Sequence, residues 1–117
     1  MASTFHSLAY DTFDARITAT FWGAVLHLRV APGASADRAE LLDVTSVGAP
    51  NLVFRKVTDG RALRTPLHLQ LTTTDLDAES RRLERLGARR LGRVGGPGAR
   101  SVTFADPEGN AFDLVAA

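Results

Sequence analysis

The chain has 117 residues, of which 44% are hydrophobic and 23% charged, and a formal net charge of +1 at pH 7. This composition is typical of one globular domain, and so small a net charge argues against a nucleic-acid partner. The chain has no cysteine, which excludes disulfides and thiolate chemistry. With no secretory signal and no apolar run near the roughly 20 residues that cross a bilayer, we expect a cytoplasmic protein without membrane contact.

The N-terminal segment predicts a strand followed by a helix. Phe5 to Asp11 alternates between the two faces of a strand. Asp14 is a plausible N-cap for a helix that runs through Leu26. The expected apolar stripe of that helix consists of Ile17, Phe21, Trp22 and Val25.

After this helix the chain predicts three more strands. Leu28 to Val30 begins the first, and Pro32 to Asp37 is a turn-rich loop. Glu40 to Val47 and Asn51 to Val57 follow, joined by a Gly-Ala-Pro turn. Asp59 to Thr65 then links the two halves of the chain, and a proline marks the entrance to the next strand.

The second half begins with a clear strand and helix. Leucines alternate with polar residues from Leu67 to Thr72, as in a strand with one apolar face. Asp75 is the expected N-cap of the helix, and Gly87 is the expected residue just beyond its end. The apolar face of this helix is formed by Leu76, Leu83 and Leu86.

Three strands complete the second half. They are expected at Arg89 to Val94, Ser101 to Ala105 and Ala111 to Val115. Gly95 to Gly98 forms a hairpin tip, and Asp106 to Asn110 forms a turn in which the glycine takes a positive φ.

Arginines crowd the second half of the chain. No aromatic residues interleave with them, and Glu79 and Glu84 dilute their charge. We therefore interpret them as the solvated face of a helix and strand rather than as a nucleic-acid surface. The residues concerned are Arg81, Arg82, Arg85, Arg89, Arg90, Arg93 and Arg100.

The two halves repeat one pattern. Asp14 lies seven positions after Ser7, and Asp75 lies seven positions after His68 (14 − 7 and 75 − 68). A repeat of this length predicts two copies of one strand–helix–strand unit, neither of which buries its sheet face alone. Two paired copies make a curved sheet with a shared concave surface, where we expect the functional site.

Four segments resemble the vicinal oxygen chelate superfamily, in particular its glyoxalase-like members. They are Phe21 to Leu26, His68 to Glu79, Leu83 to Ala88 and Asp106 to Leu114, the last reading D-P-E-G-N-A-F-D-L. The resemblance implies an α+β fold of two βαβββ modules, residues 4–60 and 65–117, that form a cupped mixed sheet. It also implies a homodimer, because pairing covers the open sheet edges.

Many members of this superfamily hold a divalent metal with four side chains in the cup, and here the resemblance carries over only in part. The second-module histidine position falls on His68, and the closing carboxylate position, usually glutamate, falls on Asp113. The first-module histidine position falls on Ser7, with His6 one place away and therefore on the opposite face of a strand. The fourth position falls in the strand Asn51 to Val57, which offers no carboxylate, histidine or glutamine. We therefore expect no tightly bound catalytic metal; if one is present, His68 and Asp113 are its ligands.

His68 and Asp113 are the candidate catalytic residues, as a pair that meets across the cup. In the functional interpretation His68 is a general base or binds the substrate. In the structural one, a neighbouring carboxylate or hydroxyl satisfies it.

The candidate ligand-binding residues are polar side chains expected to face the cup. Gln70 and Thr72 continue the face of the His68 strand, and Asp11 ends the first strand, where a turn or capping role is the alternative. Arg55 is expected to balance Asp113 or bind an anionic ligand, with a surface role as the alternative. The full set is Ser7, Asp11, Arg55, Gln70 and Thr72.

His27 stands where the superfamily usually has a glycine after the first helix. If it takes the left-handed conformation there, the strain costs roughly 1 kcal/mol. We interpret it as an unusual helix cap and not as a ligand.

The expected function is therefore the binding of a small organic molecule in the cup, leading to sequestration or to acid–base chemistry. The alternative is a metal-dependent lyase, isomerase or dioxygenase of the same superfamily. A third possibility is an interaction module without a small ligand. The sequence alone does not name the ligand.

Overall fold

The structure, a computed structural model, describes residues 5–56, 69–93 and 100–117. The chain divides into two compact units, Met1–Ala62 and Leu63–Ala117. Each unit combines one α-helix with one mixed β-sheet, so the predicted α+β class is confirmed. No helix in the described ranges is long and apolar enough to span a membrane.

The first unit has a three-stranded sheet. Its elements are β1 (Ser7–Thr12), α1 (Ala15–Leu26), β2 (Arg38–Glu40), a 3-10 turn (Val44–Val47) and β3 (Asn51–Lys56). The strand order is β1-β3-β2, with β1 parallel and β2 antiparallel to β3.

The second unit has a four-stranded sheet. Its elements are β4 (Leu69–Thr73), α2 (Leu76–Arg85), β5 (Arg89–Arg93), β6 (Ser101–Ala105) and β7 (Ala111–Ala116). The order is β4-β7-β6-β5, in which only β4 and β7 are parallel. In both units the strand before the helix pairs in parallel with the last strand, so the sequence repeat is a repeat of topology.

Both helices begin at the predicted aspartates. The carboxylate of Asp14 accepts a hydrogen bond from the backbone N–H of Ile17 at 3.1 Å. The carboxylate of Asp75 does the same for the N–H of Ala78 at 3.0 Å. Each cap satisfies one of the N–H groups that the first turn of a helix leaves without an intrahelical partner.

The two helices end in related ways with different residues. After α2, Gly87 has φ +113°, and the N–H of Ala88 reaches back to the carbonyl of Leu83 at 3.0 Å. After α1, His27 takes φ 57° and ψ 41°, and the N–H of Leu28 reaches the carbonyl of Gly23 at 2.8 Å. A left-handed residue closes both helices, and the histidine does so at a strain of roughly 1 kcal/mol.

Aromatic residues form the core of the first unit. Trp22 and Phe54 are both 1% exposed. The ring of Tyr10 lies 6.3 Å from that of Trp22 and 5.4 Å from that of Phe54. The prediction that Ile17 belongs to the buried stripe of α1 is wrong: Ile17 is 57% exposed, because the buried face is centred on Trp22 and runs through small residues. These are Ala15, Thr18 and Ala19.

The core of the second unit lies between α2 and the sheet. Leu83 is fully buried, while Leu76 and Leu86 flank it as half-buried residues. The rings of Phe104 and Phe112 stack at 5.7 Å on neighbouring strands. The predicted apolar face of α2 is therefore the face that packs on the sheet.

Two predicted strands of the first unit are shorter than expected. The segment Leu28 to Val30 makes only one isolated bridge, from Val30 to Leu41. The strand predicted at Glu40–Val47 begins earlier, as β2, and ends at Glu40, after which Leu41 makes only the isolated bridge to Val30. Asp43 turns to φ 57°, and the hydroxyl of Ser46 donates to the carbonyl of Asp43 at 2.7 Å, which closes the 3-10 turn in place of a strand.

The turn between β6 and β7 forms as predicted. The buried carboxylate of Asp106 accepts hydrogen bonds from the N–H groups of Glu108 at 3.0 Å and Asn110 at 2.9 Å, and Gly109 takes φ +91°. These bonds fix the length of the turn and with it the register of the two strands.

Several predictions fall outside the described residues. They concern Val57, the linker Asp59 to Thr65, Pro66, Leu67, His68, Val94 and the hairpin tip Gly95 to Gly98.

Candidate ligand-binding site

Alternation along β7 sorts its side chains onto two faces of the second sheet. Phe112 and Leu114 are buried on the face that packs against α2. Asp113 lies between them in sequence, so its side chain stands on the opposite face, where it is half-buried. The predicted closing carboxylate is therefore on the face that α2 does not cover.

Asp113 is flanked by one polar residue on each neighbouring strand. Gln70 of β4 and Thr103 of β6 are its direct cross-strand partners. The Thr103 hydroxyl donates to Oδ1 of Asp113 at 2.7 Å, and Nε2 of Gln70 donates to Oδ2 at 3.4 Å. We call these three residues the polar row. It holds a carboxylate in a defined orientation, which is what a binding or proton-accepting group requires.

The sequence predictions for the polar row succeeded in part. Gln70 and Asp113 were expected to share a face, and the register of β4 and β7 shows that they do. Thr72 is on the same face one step further along, opposite Val115 and without a described contact to Asp113. His68 lies outside the described residues, so the pairing of His68 with Asp113 stays a prediction.

Sequence reasoning missed Thr103, although a signal was present. Thr103 and Asp113 are each five residues from Glu108 (108 − 103 and 113 − 108), the middle of the predicted turn. An antiparallel hairpin folded about that residue brings the two side chains opposite each other, because cross-strand partners are equidistant from the centre of the turn.

The first unit does not repeat the polar row. The pair Leu8 and Leu52 in the first unit corresponds to the pair Leu69 and Phe112 in the second. One residue further along each strand, Val53 therefore occupies the position of Asp113, and Ala9 occupies that of Gln70. Val53 is 8% exposed. The position in the first unit that matches Asp113 is thus occupied by an apolar side chain.

Charged residues lie one step further along the first sheet. Nε of Arg55 lies 2.8 Å from Oδ1 of Asp11, its direct cross-strand partner. Arg55, which was expected to balance Asp113 or to bind an anionic ligand, is paired with Asp11 within the first unit. On the other side of Arg55, Arg38 bonds to Glu40 at 3.2 Å. Arg38 and Glu40 were missed because the prediction began that strand at Glu40.

Ser7 is paired with the residue that precedes it. Nδ1 of His6 lies 3.1 Å from the hydroxyl oxygen of Ser7. Strict alternation predicted the two side chains on opposite faces, but β1 begins only at Ser7, so His6 does not follow the alternation of the strand. His6 is exposed and Ser7 half-buried.

A pKa shift with a clear cause occurs on α2, away from the polar row. Arg82 on α2 bonds to Glu79 through Nε at 2.7 Å, and this hydrogen bond raises the pKa of the guanidinium. Burial opposes the shift and the charge of Glu79 adds to it. The pair is an i, i+3 contact within the helix and belongs to its stability, not to a site.

A family model described as Glyoxalase-like domain matches residues 7–115. The chain belongs to this family, within the vicinal oxygen chelate superfamily that the sequence resembles. No curated protein matches the chain.

Solved structures from bacteria share the fold at low sequence identity. A glyoxalase/bleomycin resistance protein/dioxygenase family enzyme from Burkholderia phytofirmans is 13% identical with a TM-score of 0.72, covering 94% of this chain and 95% of its own. The fosfomycin resistance protein FosX from Listeria monocytogenes is 17% identical with a TM-score of 0.73, at 100% and 93% coverage. A possible glyoxalase from Bacillus cereus is 14% identical with a TM-score of 0.69, at 97% and 99% coverage.

The described residues do not fit the four-ligand metal centre that the superfamily often carries. Of its four expected positions, Asp113 offers a carboxylate and His68 lies outside the described residues, whereas the first unit offers Ser7 and a strand with Val53 and Arg55. Arg55 is a cation and opposes metal binding. Within residues 5–56, 69–93 and 100–117, no three His, Asp or Glu side chains converge as a metal site would require.

Proposed function

We propose that this protein binds a small organic molecule on the polar face of its second sheet, without a tightly bound catalytic metal. The observation that carries the proposal is the polar row, in which Asp113 is held between Thr103 at 2.7 Å and Gln70 at 3.4 Å. The two donors fix the carboxylate on the face of the sheet that α2 does not cover, where it can form a hydrogen bond with a ligand.

The contrast between the two units supports this choice. If the polar row only stabilised the sheet, a similar set of polar residues would serve equally well in the first unit. The first unit instead has Ala9 and Val53 at the matching positions. Asp113 stands on the face opposite to Phe112 and Leu114, where its half-buried carboxylate is held by Thr103 and Gln70.

Binding leads to one of two outcomes in this proposal. The protein sequesters the ligand, or it transforms the ligand by acid–base chemistry in which His68 and Asp113 exchange protons with it. The Asp113 carboxylate can accept a proton from a bound molecule, and the donated hydrogen bond from the Thr103 hydroxyl keeps it in position. We further propose a homodimer, as the family resemblance implies.

A thermal-shift screen of small organic molecules, followed by calorimetric titration of the hits, tests this proposal. The Asp113→Asn variant keeps the size of the side chain and removes its charge. Asp37→Asn removes an equal charge from an exposed loop of the other unit and is the matched control. We expect hits that bind the wild type and the control equally and lose at least about tenfold in affinity with Asp113→Asn. Hits that bind all three proteins equally would refute the proposed site.

The metal-dependent alternative is tested separately. If the alternative holds, protein purified without chelators carries one equivalent of zinc, nickel, iron or manganese, and His68→Ala or Asp113→Asn removes it. We expect far less than one metal ion per protein chain, and the same trace amount in the wild type and in both variants. A full equivalent that these substitutions remove would establish the metal-dependent class.

A further inference from the structure

We infer that Leu91 and Gly92 form an apolar end of the candidate ligand-binding site. The ligand is then amphipathic, with a polar group at the polar row and an alkyl or aryl group against Leu91. This inference rests on the proposed function and specifies its ligand. It follows from β5, the edge strand beside β6, which turns an arginine toward the helix and a leucine toward the open face of the sheet.

Arg90 occupies the packed side of β5. It is the direct cross-strand partner of Phe104, which is fully buried. Its guanidinium lies 5.8 Å from the centroid of that ring, and Nη2 donates to Oε1 of Glu84 on α2 at 3.0 Å. The side chain of Arg90 therefore lies on the face that α2 covers, where an amphipathic strand ordinarily has an apolar residue.

Leu91 occupies the open side of the same strand. Side chains alternate along a strand, so Leu91 points away from α2, to the face that carries the polar row. Its exposure of 52% agrees with this placement. A single exposed leucine is common on protein surfaces. Leu91, however, is the one apolar side chain of β5, and the strand presents it to the open face while an arginine covers the core.

A β-bulge brings Leu91 to the end of the polar row. Arg90 pairs with Phe104 and Gly92 pairs with Thr103, so Leu91 is an extra residue between two successive pairs. Bulges are frequent beside active sites, where they redirect a side chain. A Cβ atom built on Gly92 would meet no described atom within 4 Å. The backbone beside Thr103 is therefore open, and a ligand can lie over it against Leu91.

The residues that flank the polar row extend this apolar surface. Ala111 and Val115 lie two positions before and after Asp113 on the same face of β7, and Ala105 lies two positions after Thr103 on β6. A few polar groups among apolar side chains are typical of small-molecule sites, in which the polar groups orient a mostly apolar ligand.

The spacing of the strands sets the size of the ligand. Two strand spacings, roughly 10 Å, separate β7 from β5, so a molecule bonded to Asp113 reaches Leu91 with a chain of about six carbon atoms. The contact with Leu91 is apolar, and its strength does not depend on the charge of Asp113.

The straight-chain alcohols 1-butanol, 1-pentanol and 1-hexanol test the inference, because they share one neutral polar group and differ only in apolar length. Each is titrated to about 40 mM into ¹⁵N-labelled protein, which defines a Kd of up to about that concentration. We expect shifts in the amide signals of residues 91, 92, 103 and 113, and a Kd that falls about threefold with each added methylene.

A variant of Leu91 and a matched control locate the apolar contact. Leu91→Gln keeps the length of the side chain and removes its apolar surface, so it should abolish the dependence of the Kd on chain length. Ile17→Gln makes a similar change at a residue of α1 that is 57% exposed, and it should retain that dependence.

Two further measurements on Leu91→Gln separate ligand binding from other roles. Because Leu91 is exposed, the variant should keep the melting temperature of the wild type within about 2 °C, and it should keep the same oligomeric state. A melting temperature lower by several degrees would assign Leu91 to the stability of the fold. A changed oligomeric state would assign it to a contact between chains, and either result would overturn the inference.

The inference and the proposed function fail in different ways. A dependence on chain length that persists in Leu91→Gln, with shifts that Asp113→Asn removes, would overturn the inference and leave the proposed function standing. The same holds if no alcohol shifts these signals but the thermal screen gives a site-dependent hit. No shift from any alcohol, together with no site-dependent hit in the screen, would overturn both.

Discussion

The hydroxyl oxygen of Thr103 lies 2.7 Å from Oδ1 of Asp113, across the hairpin that closes the second unit. The two residues are direct partners in the register of β6 and β7. This contact orients the carboxylate on the polar face and connects the folding of the hairpin to the chemistry of the candidate site.

Removal of this contact should be measurable as a loss of stability. Thr103→Val keeps the shape of the side chain and removes the donor, so the half-buried carboxylate of Asp113 loses its shortest hydrogen bond. We expect the free energy of unfolding to fall by about 1 kcal/mol, measured by urea denaturation. Thr103→Ser retains a hydroxyl and should lose markedly less. A loss for Thr103→Ser with none for Thr103→Val would mean that packing of the methyl group stabilises the protein and the hydrogen bond does not.

The turn that sets the register depends on Asp106. Asp106→Ala leaves the N–H groups of Glu108 and Asn110 without their acceptor in a partly buried turn, so we expect a loss of about 1–2 kcal/mol in chemical denaturation. Glu108→Ala, in the same turn, serves as the control because only its backbone takes part in these bonds. A loss for Glu108→Ala as large as for Asp106→Ala would contradict the role assigned to the Asp106 carboxylate.

The strained cap of α1 should be improved by a glycine. His27→Gly removes the clash of a Cβ atom at φ 57°, and we expect a gain of about 1 kcal/mol in the free energy of unfolding. His27→Ala keeps a Cβ atom and removes only the imidazole, so it should leave stability nearly unchanged. If alanine stabilises as much as glycine, the imidazole is the source of the cost and not the backbone.

Gly23 is predicted to be intolerant of alanine although it lies within a helix. A Cβ atom at this position would lie 2.8 Å from the carbonyl oxygen of Leu28, a backbone atom. We expect Gly23→Ala to destabilise the protein by about 1–3 kcal/mol despite the higher helix propensity of alanine. Thr20→Ala, on the exposed side of the same helix, should be neutral or slightly stabilising. A melting temperature that rises with Gly23→Ala would show that the close approach to Leu28 is easily relaxed.

The elements that the sequence predicted well are those with strong local signals. Asp14 and Asp75 cap their helices, and the leucines of α2 lie on its packed side. The turn around Gly109 formed as expected, since a buried aspartate and a residue that tolerates positive φ leave few alternatives. In each case a few neighbouring residues decide the conformation.

The predictions that were wrong depend on contacts distant in the chain. Ile17 had the spacing of a core residue, but the sheet meets α1 along a stripe centred on Trp22, which periodicity alone does not locate. The segment from Leu41 to Val47 has the apolar pattern of the predicted strand, but Asp43 takes a left-handed conformation and prevents the strand from continuing. The contact of Arg55 with Asp11 was not predicted for a related reason: the parallel register of β1 and β3 sets the two residues opposite each other, and neither segment alone determines that register.

The most direct test of the account is a crystal structure of the protein in complex with a hit from the ligand screen. We predict density for the ligand within hydrogen-bond distance of Asp113 and of at least one of its neighbours Gln70 and Thr103. A ligand bound by other residues, with the polar row left in contact with solvent alone, would contradict it.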